Sequence, residues 1–301
     1  MAKAAFLFPG QGAQQVGMGK EIADLPAARK LFDRASTVLG YDLYARCTEG
    51  PEVRLNATDV CQPALYVAGL AAVERLRSQR PDVVARAQGA AGLSLGEYTA
   101  FAFAGAFSFE DGLRVVKVRG ESMQAAADAR ASGMVSVLGL DEAKVAELAT
   151  AASTNGRVWL ANFLCLGNIA VSGDKTACDE VERLAEAAGA TKTVRLQVAG
   201  AFHTEIMASA SAKLREALET IEIRPPRIPV YSNVDAAAHD EPDEIRLLLV
   251  RQVCEPVLWE SSMRRMLEDG FDEFFELGPG RVLAGLLKRI QRKTAVENIG
   301  V

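Results

Sequence analysis

Short apolar runs alternate with longer segments of helical periodicity along almost the whole chain, a pattern that calls for strands inside a fold and helices packed over them. Residues 4–8 read as the first strand. Residues 27–39 carry Ala28, Leu31, Phe32, Ala35 and Leu39 at helical spacing, and 62–77 form a second helix with Pro63 suited to its first turn. The small-residue run 87–92 reads as a strand entering a helix that begins near Ser94. A helix at 109–127 follows, with Ser108 as its cap and Asp111 three residues on. From Met134 the rhythm changes to strand 134–140, helix 141–152, strands 158–163 and 168–172, helix 175–188 and strand 191–198. That β-α-β-β-α-β order is the split, ferredoxin-like arrangement. Longer units then resume, with helices at 208–218, 243–253, 259–269 and 281–290 and strands at 229–232 and 273–276. The expected class is α/β: a parallel-sheet core built from 1–130 and 199–301, with a βαββαβ subdomain inserted at 131–198.

Composition narrows the function. In 301 residues, 49% are hydrophobic and 24% charged, enough apolar surface for a large core and too much for disorder. Aromatics make up only 6%, so the core must be mainly Ala, Leu and Val. A net charge of −5 with no Lys/Arg stripe excludes nucleic acid as a partner. Five cysteines (Cys47, Cys61, Cys165, Cys178, Cys254) stand far apart with no Cys-x-x-Cys, which points to free thiols in a reducing compartment and against structural zinc. The most apolar run, 98–109, is too short to span a bilayer, and the first strand begins too early for a signal peptide. The expected location is the cytoplasm.

Gly92-Leu93-Ser94-Leu95-Gly96 matches G-x-S-x-G, the turn that exposes a serine oxygen between a strand and the N-terminal amides of a helix. The same pentapeptide also suits a glycine-rich helix start with Ser94 as its cap. A serine nucleophile needs a base, and the chain has two histidines. His239 lies in an acidic loop and reads as a solvated surface residue. His203 follows a strand end and the turn Gly200-Ala201-Phe202, where α/β sheets build sites, so it is the candidate base. Phe8-Pro9-Gly10-Gln11-Gly12 ends the first strand. It lacks the third glycine of a dinucleotide loop, and no Walker A sequence occurs. Such a turn can present a backbone N–H to an oxyanion. Arg119 projects from the apolar stripe of its helix, so its guanidinium must meet a carboxylate, either a buried Asp or Glu or that of a substrate.

Together these residues resemble the malonyl-CoA:acyl carrier protein transacylase family. The resemblance runs through Phe8–Gly12, residues 92–98, Val118-Arg119-Gly120-Glu121-Ser122-Met123, Val171-Ser172-Gly173, Gly200-Ala201-Phe202-His203-Thr204, Tyr231-Ser232-Asn233, residues 252–259 and Glu276-Leu277-Gly278-Pro279-Gly280. It implies an α/β-hydrolase-like core with a ferredoxin-like insert. It also implies ping-pong transfer of malonyl from malonyl-CoA to the phosphopantetheine thiol of acyl carrier protein, supplying fatty acid synthesis. Ser94 would be the nucleophile, His203 the base, and the amides of Gln11 and Leu95 the oxyanion hole. Arg119 would hold the malonyl carboxylate, and the main-chain carbonyl of Gln252 would orient His203. Phe202 would narrow the pocket toward malonyl over methylmalonyl. No cofactor or metal is implied, and a monomer is expected. Two positions depart from the family: Leu93 stands where most members have His, and Leu166-Gly167-Asn168 where many have Pro-Gly-Gln. Three other readings share parts of the pattern: a polyketide trans-acting malonyltransferase, a serine esterase or lipase, and a non-catalytic docking subunit for carrier protein. Lys288, Arg289, Arg292 and Lys293 are candidates for a basic docking patch, or simply complement a helix C-terminus.

Overall fold

A computed structural model describes residues 2–301. In chain order its elements are β1 (Ala4–Phe8), α1 (Pro26–Leu39), α2 (Leu43–Glu49), α3 (Glu52–Asn56), α4 (Thr58–Gln79), α5 (Pro81–Ala85), β2 (Ala87–Gly92), α6 (Leu95–Ala104) and α7 (Phe109–Asp128). The middle of the chain holds β3 (Ser132–Leu138), α8 (Glu142–Ala152), β4 (Val158–Cys165), β5 (Asn168–Asp174), α9 (Lys175–Ala187) and β6 (Lys192–Arg195). The last third supplies α10 (Ala208–Glu219), β7 (Val230–Tyr231), β8 (Ala238–His239), α11 (Pro242–Arg251), α12 (Trp259–Glu268), β9 (Glu273–Leu277), α13 (Val282–Ile290) and β10 (Ala295–Ile299).

Two sheets result. The larger has the order β10-β9-β1-β2-β7-β8, parallel throughout except for the antiparallel pair β7-β8. Strand β1 is buried at every position because helices cover both faces. Ala4, Phe6 and Phe8 point into the cluster shared with α1, α4, α6 and α7, whereas Ala5 and Leu7 point into a second cluster with Trp259, Met263, Leu283 and Leu287. The smaller sheet is antiparallel, in the order β4-β5-β3-β6. Its first strand lies between its third and fourth, the split arrangement expected from the sequence. Val135, Val137 and Val171 pack there against Val145 and Leu148 of α8 and Val181 of α9.

Several elements differ from the sequence reading. The helix read as starting at Gln62 starts at Thr58, so Pro63 lies inside α4 and not in its first turn. Almost every residue of α4 as far as Val73 is buried, and the apolar packing of that helix offsets the hydrogen bond that Pro63 removes. The strand read as 191–198 pairs only over Lys192–Arg195. The short helices α2, α3 and α5 and the edge strands β8 and β10 add to the expected set, and β8 makes the sheet mixed and not purely parallel. His239 is not a solvated loop residue: it sits in β8 with Nε2 2.9 Å from Asp235 and Nδ1 3.0 Å from Glu244. Among the described residues no helix is long and apolar enough to cross a membrane.

Candidate active site

The carboxyl ends of β1, β2 and β7 meet at one edge of the larger sheet, the edge where open parallel sheets collect ligands. Ser94 stands there between β2 and α6 with φ 51° and ψ −105°, a conformation a serine adopts only when its surroundings impose it. Backbone close to backbone does so. A Cβ on Gly92 would lie 1.9 Å from the carbonyl carbon of Gly96, and one on Gly96 would lie 2.0 Å from the Phe8 oxygen. Asn233, just after β7, clamps the turn. Its Oδ1 accepts from Ser94 N at 2.7 Å and its Nδ2 donates to Gly92 O at 2.8 Å.

The Phe8–Gly12 turn packs on this elbow. Leu93 N donates to Phe8 O at 3.0 Å, and a Cβ on Gly10 would lie 2.3 Å from Leu93 O. The backbone N–H groups of Gln11 and Leu95 donate to no acceptor within the chain among the described residues, whereas Ser94 N is occupied by Asn233. Leu93 itself packs against the second core cluster.

His203 reaches Ser94 from the loop between the smaller sheet and α10. Ser172 of β5 donates to Phe202 O at 2.7 Å, Ser132 Oγ accepts from Ala201 N at 3.1 Å, and His203 N donates to Val253 O at 3.1 Å. These bonds hold His203 at φ 61°. Its Nε2 lies 2.9 Å from Ser94 Oγ, and its Nδ1 lies 2.7 Å from the carbonyl of Gln252. Donation from Nδ1 to that carbonyl leaves Nε2 free to accept the serine proton. Burial, reinforced by the nearby Arg119 charge, lowers the imidazole to about 4, so it is neutral at pH 7.

Arg119, 1% exposed on α7, completes the group. Its partner is neither a buried acid nor any other carboxylate. Nη1 donates to Gln62 Oε1 at 2.7 Å, and Nη2 donates to Gln252 Oε1 at 2.9 Å and Ser94 Oγ at 3.0 Å. The guanidinium also lies 5.1 Å from the Tyr98 ring centroid. Two side-chain amides, a hydroxyl and an aromatic face thus spread its charge, while its buried Nε has no hydrogen-bond partner. Burial pulls its pKa down, and Tyr98 and Glu97 oppose that.

The structure therefore brings Ser94, His203, Arg119, Gln252, Gln11 and Leu95 together. It adds Gln62, Glu97 and Asn233, which sequence reasoning gave no role. Gln62 offered a signal, a lone amide within the buried run from Val60 to Gly69. The basic residues are placed elsewhere. Lys288 and Arg289 end α13, and Arg292 and Lys293 precede Ala295, which pairs with Glu273 at the amino end of β9, opposite the edge that carries Ser94. Among the described residues no cluster of His, Cys, Asp and Glu is arranged for a metal ion.

The family model described as acyl transferase domain matches residues 5–299. Human mitochondrial malonyl-CoA-acyl carrier protein transacylase is 40% identical over 297 residues, 95% of this chain and 76% of that protein. The chain belongs to the malonyl-CoA:acyl carrier protein transacylase family. The Bacillus subtilis transacylase is 39% identical, covering 97% of this family member and 92% of its own length. The crystal structure of the Xanthomonas oryzae transacylase superposes with a TM-score of 0.95 at 39% identity, over 100% of this chain and 95% of that one. The likeness includes both the larger mixed sheet and the smaller antiparallel one.

Proposed function

We propose that this family member transfers malonyl from malonyl-CoA to the phosphopantetheine thiol of acyl carrier protein through a malonyl-serine, supplying fatty acid synthesis. One observation carries the reading: Ser94 Oγ touches both His203 Nε2 and Arg119 Nη2. The same oxygen is served by a base for its proton and by a cation for the free end of a diacid. An esterase would have no use for a fully buried guanidinium at its nucleophile.

The steps follow from the geometry. Neutral His203, with its proton held on Nδ1 by the Gln252 carbonyl, takes the hydroxyl proton as Ser94 Oγ attacks the thioester carbonyl. The developing oxyanion is met by the N–H groups of Gln11 and Leu95, the latter at the N-terminus of α6, whose dipole favours negative charge. The imidazolium returns its proton to the departing thiol of coenzyme A. In the second half the phosphopantetheine thiol attacks the ester by the reverse route. Arg119 holds the malonyl carboxylate throughout, and Phe202, buried beside His203, narrows the acyl pocket. The five free thiols, four of them buried, suit a reducing compartment and support a cytoplasmic location.

The test is intact mass after mixing with malonyl-CoA. A malonyl adduct that is absent from Ser94→Ala, persists alone and is discharged by added holo carrier protein supports the reading. Immediate release of free malonate without carrier makes the chain a hydrolase.

A further inference from the structure

Glu97 is a buried carboxylate to which the transfer chemistry above assigns no part. It is 0% exposed on the first turn of α6. Its Oε2 accepts from Gln252 Nε2 at 2.6 Å and from Asn233 N at 3.2 Å, and its buried Oε1 has no partner. The carboxamide it holds turns its other end to the guanidinium, so one Gln252 side chain links Glu97 to Arg119. A buried cation needs an anion nearby, yet a direct ion pair would occupy the fork needed for the acyl carboxylate. Setting the anion back by one amide meets both demands.

We infer that Glu97 is the internal counter-charge of Arg119, and that it takes up a proton when the acyl carboxylate arrives. This rests on Arg119 being the carboxylate clamp. With Glu97 ionised the buried pair is neutral, and a bound malonyl group adds an uncompensated negative charge. With Glu97 protonated, Arg119 and malonyl neutralise each other. The proton on Glu97 and the substrate carboxylate therefore favour one another. Burial places Glu97 at about 7, against the opposing pull of Gln252, Asn233 and Arg119, so the exchange falls in the working range of pH. The other charged or titratable groups acting on it are Tyr98 on α6 and Asp235 after β7, with His203 bonded to the main chain of the same Gln252. Tyr98 is raised above 10 and His203 lowered to about 4, so neither changes charge between pH 6 and 8. His239, which pairs with Asp235 and Glu244, is raised above its ordinary value by those carboxylates.

Malonyl-pantetheine is the probe, because its carboxylate is its only charged group. Loading breaks the C–S bond, forms the Oγ–C bond and leaves the serine proton on the thiol, so the chemistry itself consumes no proton. In wild type, KM is expected to rise about tenfold from pH 6 to 8, the coupling of two charges one amide apart. In Glu97→Gln the ratio of the two KM values is expected to fall to near one. Acetyl-pantetheine should show no such rise with either protein. A pH indicator should register uptake of a fraction of a proton per wild-type enzyme loaded with malonyl at pH 7, and none with acetyl. That reading needs no variant and decides the matter if Glu97→Gln fails to fold. An equal KM rise in both proteins, or loading of wild type without proton uptake, overturns the inference and would shift attention to His239. Failure of wild type to form any malonyl-Ser94 strikes instead at the transferase reading.

Discussion

Replacing Arg119 by alanine removes a guanidinium that is 1% exposed and donates to Gln62, Gln252 and Ser94. A buried ion pair that loses one partner costs about 3–5 kcal/mol. The three neutral acceptors, and Glu97 beyond Gln252, already ease the charge, so the lower end, about 3 kcal/mol, applies to an acyl group without a carboxylate. At 1.36 kcal/mol per tenfold this is about a hundredfold preference for malonyl over acetyl. Arg119→Ala should therefore lower kcat/KM for malonyl-CoA about a hundredfold and leave acetyl-CoA within a few-fold, so that the preference disappears. Single-turnover loading followed by intact mass reads both substrates in one experiment. Arg119→Lys keeps the charge but cannot span Gln62, Gln252 and a carboxylate at once, so it should recover only part of the preference. The alanine variant leaves the Gln62 and Gln252 oxygens without their donor at about 1–3 kcal/mol each, so a thermal melt must show that it is folded. A folded Arg119→Ala in which malonyl and acetyl loading fall by the same factor would refute the clamp.

His203→Ala should slow loading by about 10²–10⁴, measured in single turnover. Because burial and Arg119 lower the imidazole to about 4, the neutral base persists as pH falls. With saturating malonyl thioester, kcat should stay level from pH 8 to about 5 and drop only near 4; a midpoint near 6.5 would contradict the buried geometry. Asn233→Ala strips a partner from part-buried Ser94 N and buried Gly92 O, and should cost about 2–5 kcal/mol in urea unfolding; a loss below about 1 kcal/mol would mean that the elbow does not depend on it. Reversing the charge of Arg292 and Lys293 together should leave KM for carrier protein unchanged within about twofold, since they lie at the sheet edge away from Ser94; a large rise would show that docking reaches around the sheet.

Strongly periodic segments were legible because their burial is one-sided or complete. The run Ala4–Phe8 fills both faces of the sheet with consecutive apolar residues, and Val135 and Val137 of β3 and Ile169 and Val171 of β5 alternate as the smaller sheet requires. Strand β10 was not legible, since four of the five residues of Ala295–Ile299 are wholly or partly exposed and leave no apolar pattern. Helix α2 is only one capped pair of turns, with Asp42 Oδ1 accepting from Ala45 N at 2.9 Å. Such elements exist because their neighbours hold them, which a local window cannot register.

The candidate site divides along the same line. Local sequence determined that Ser94 would sit on a strand-to-helix turn, because glycines at 92 and 96 are the only residues that fit backbone atoms about 2 Å away from a would-be Cβ. It also marked His203 as the available base and Arg119 as a cation on an apolar stripe. Only the tertiary structure decided what Arg119 meets, and the answer was amides and not an acid. Gln62, Arg119 and Gln252 are far apart in the chain, and their contact depends on how α4, α7 and α11 pack around the sheet. A spacing rule can describe one helix or one turn. It carries no information about which polar side chains three separate helices will bury against one another.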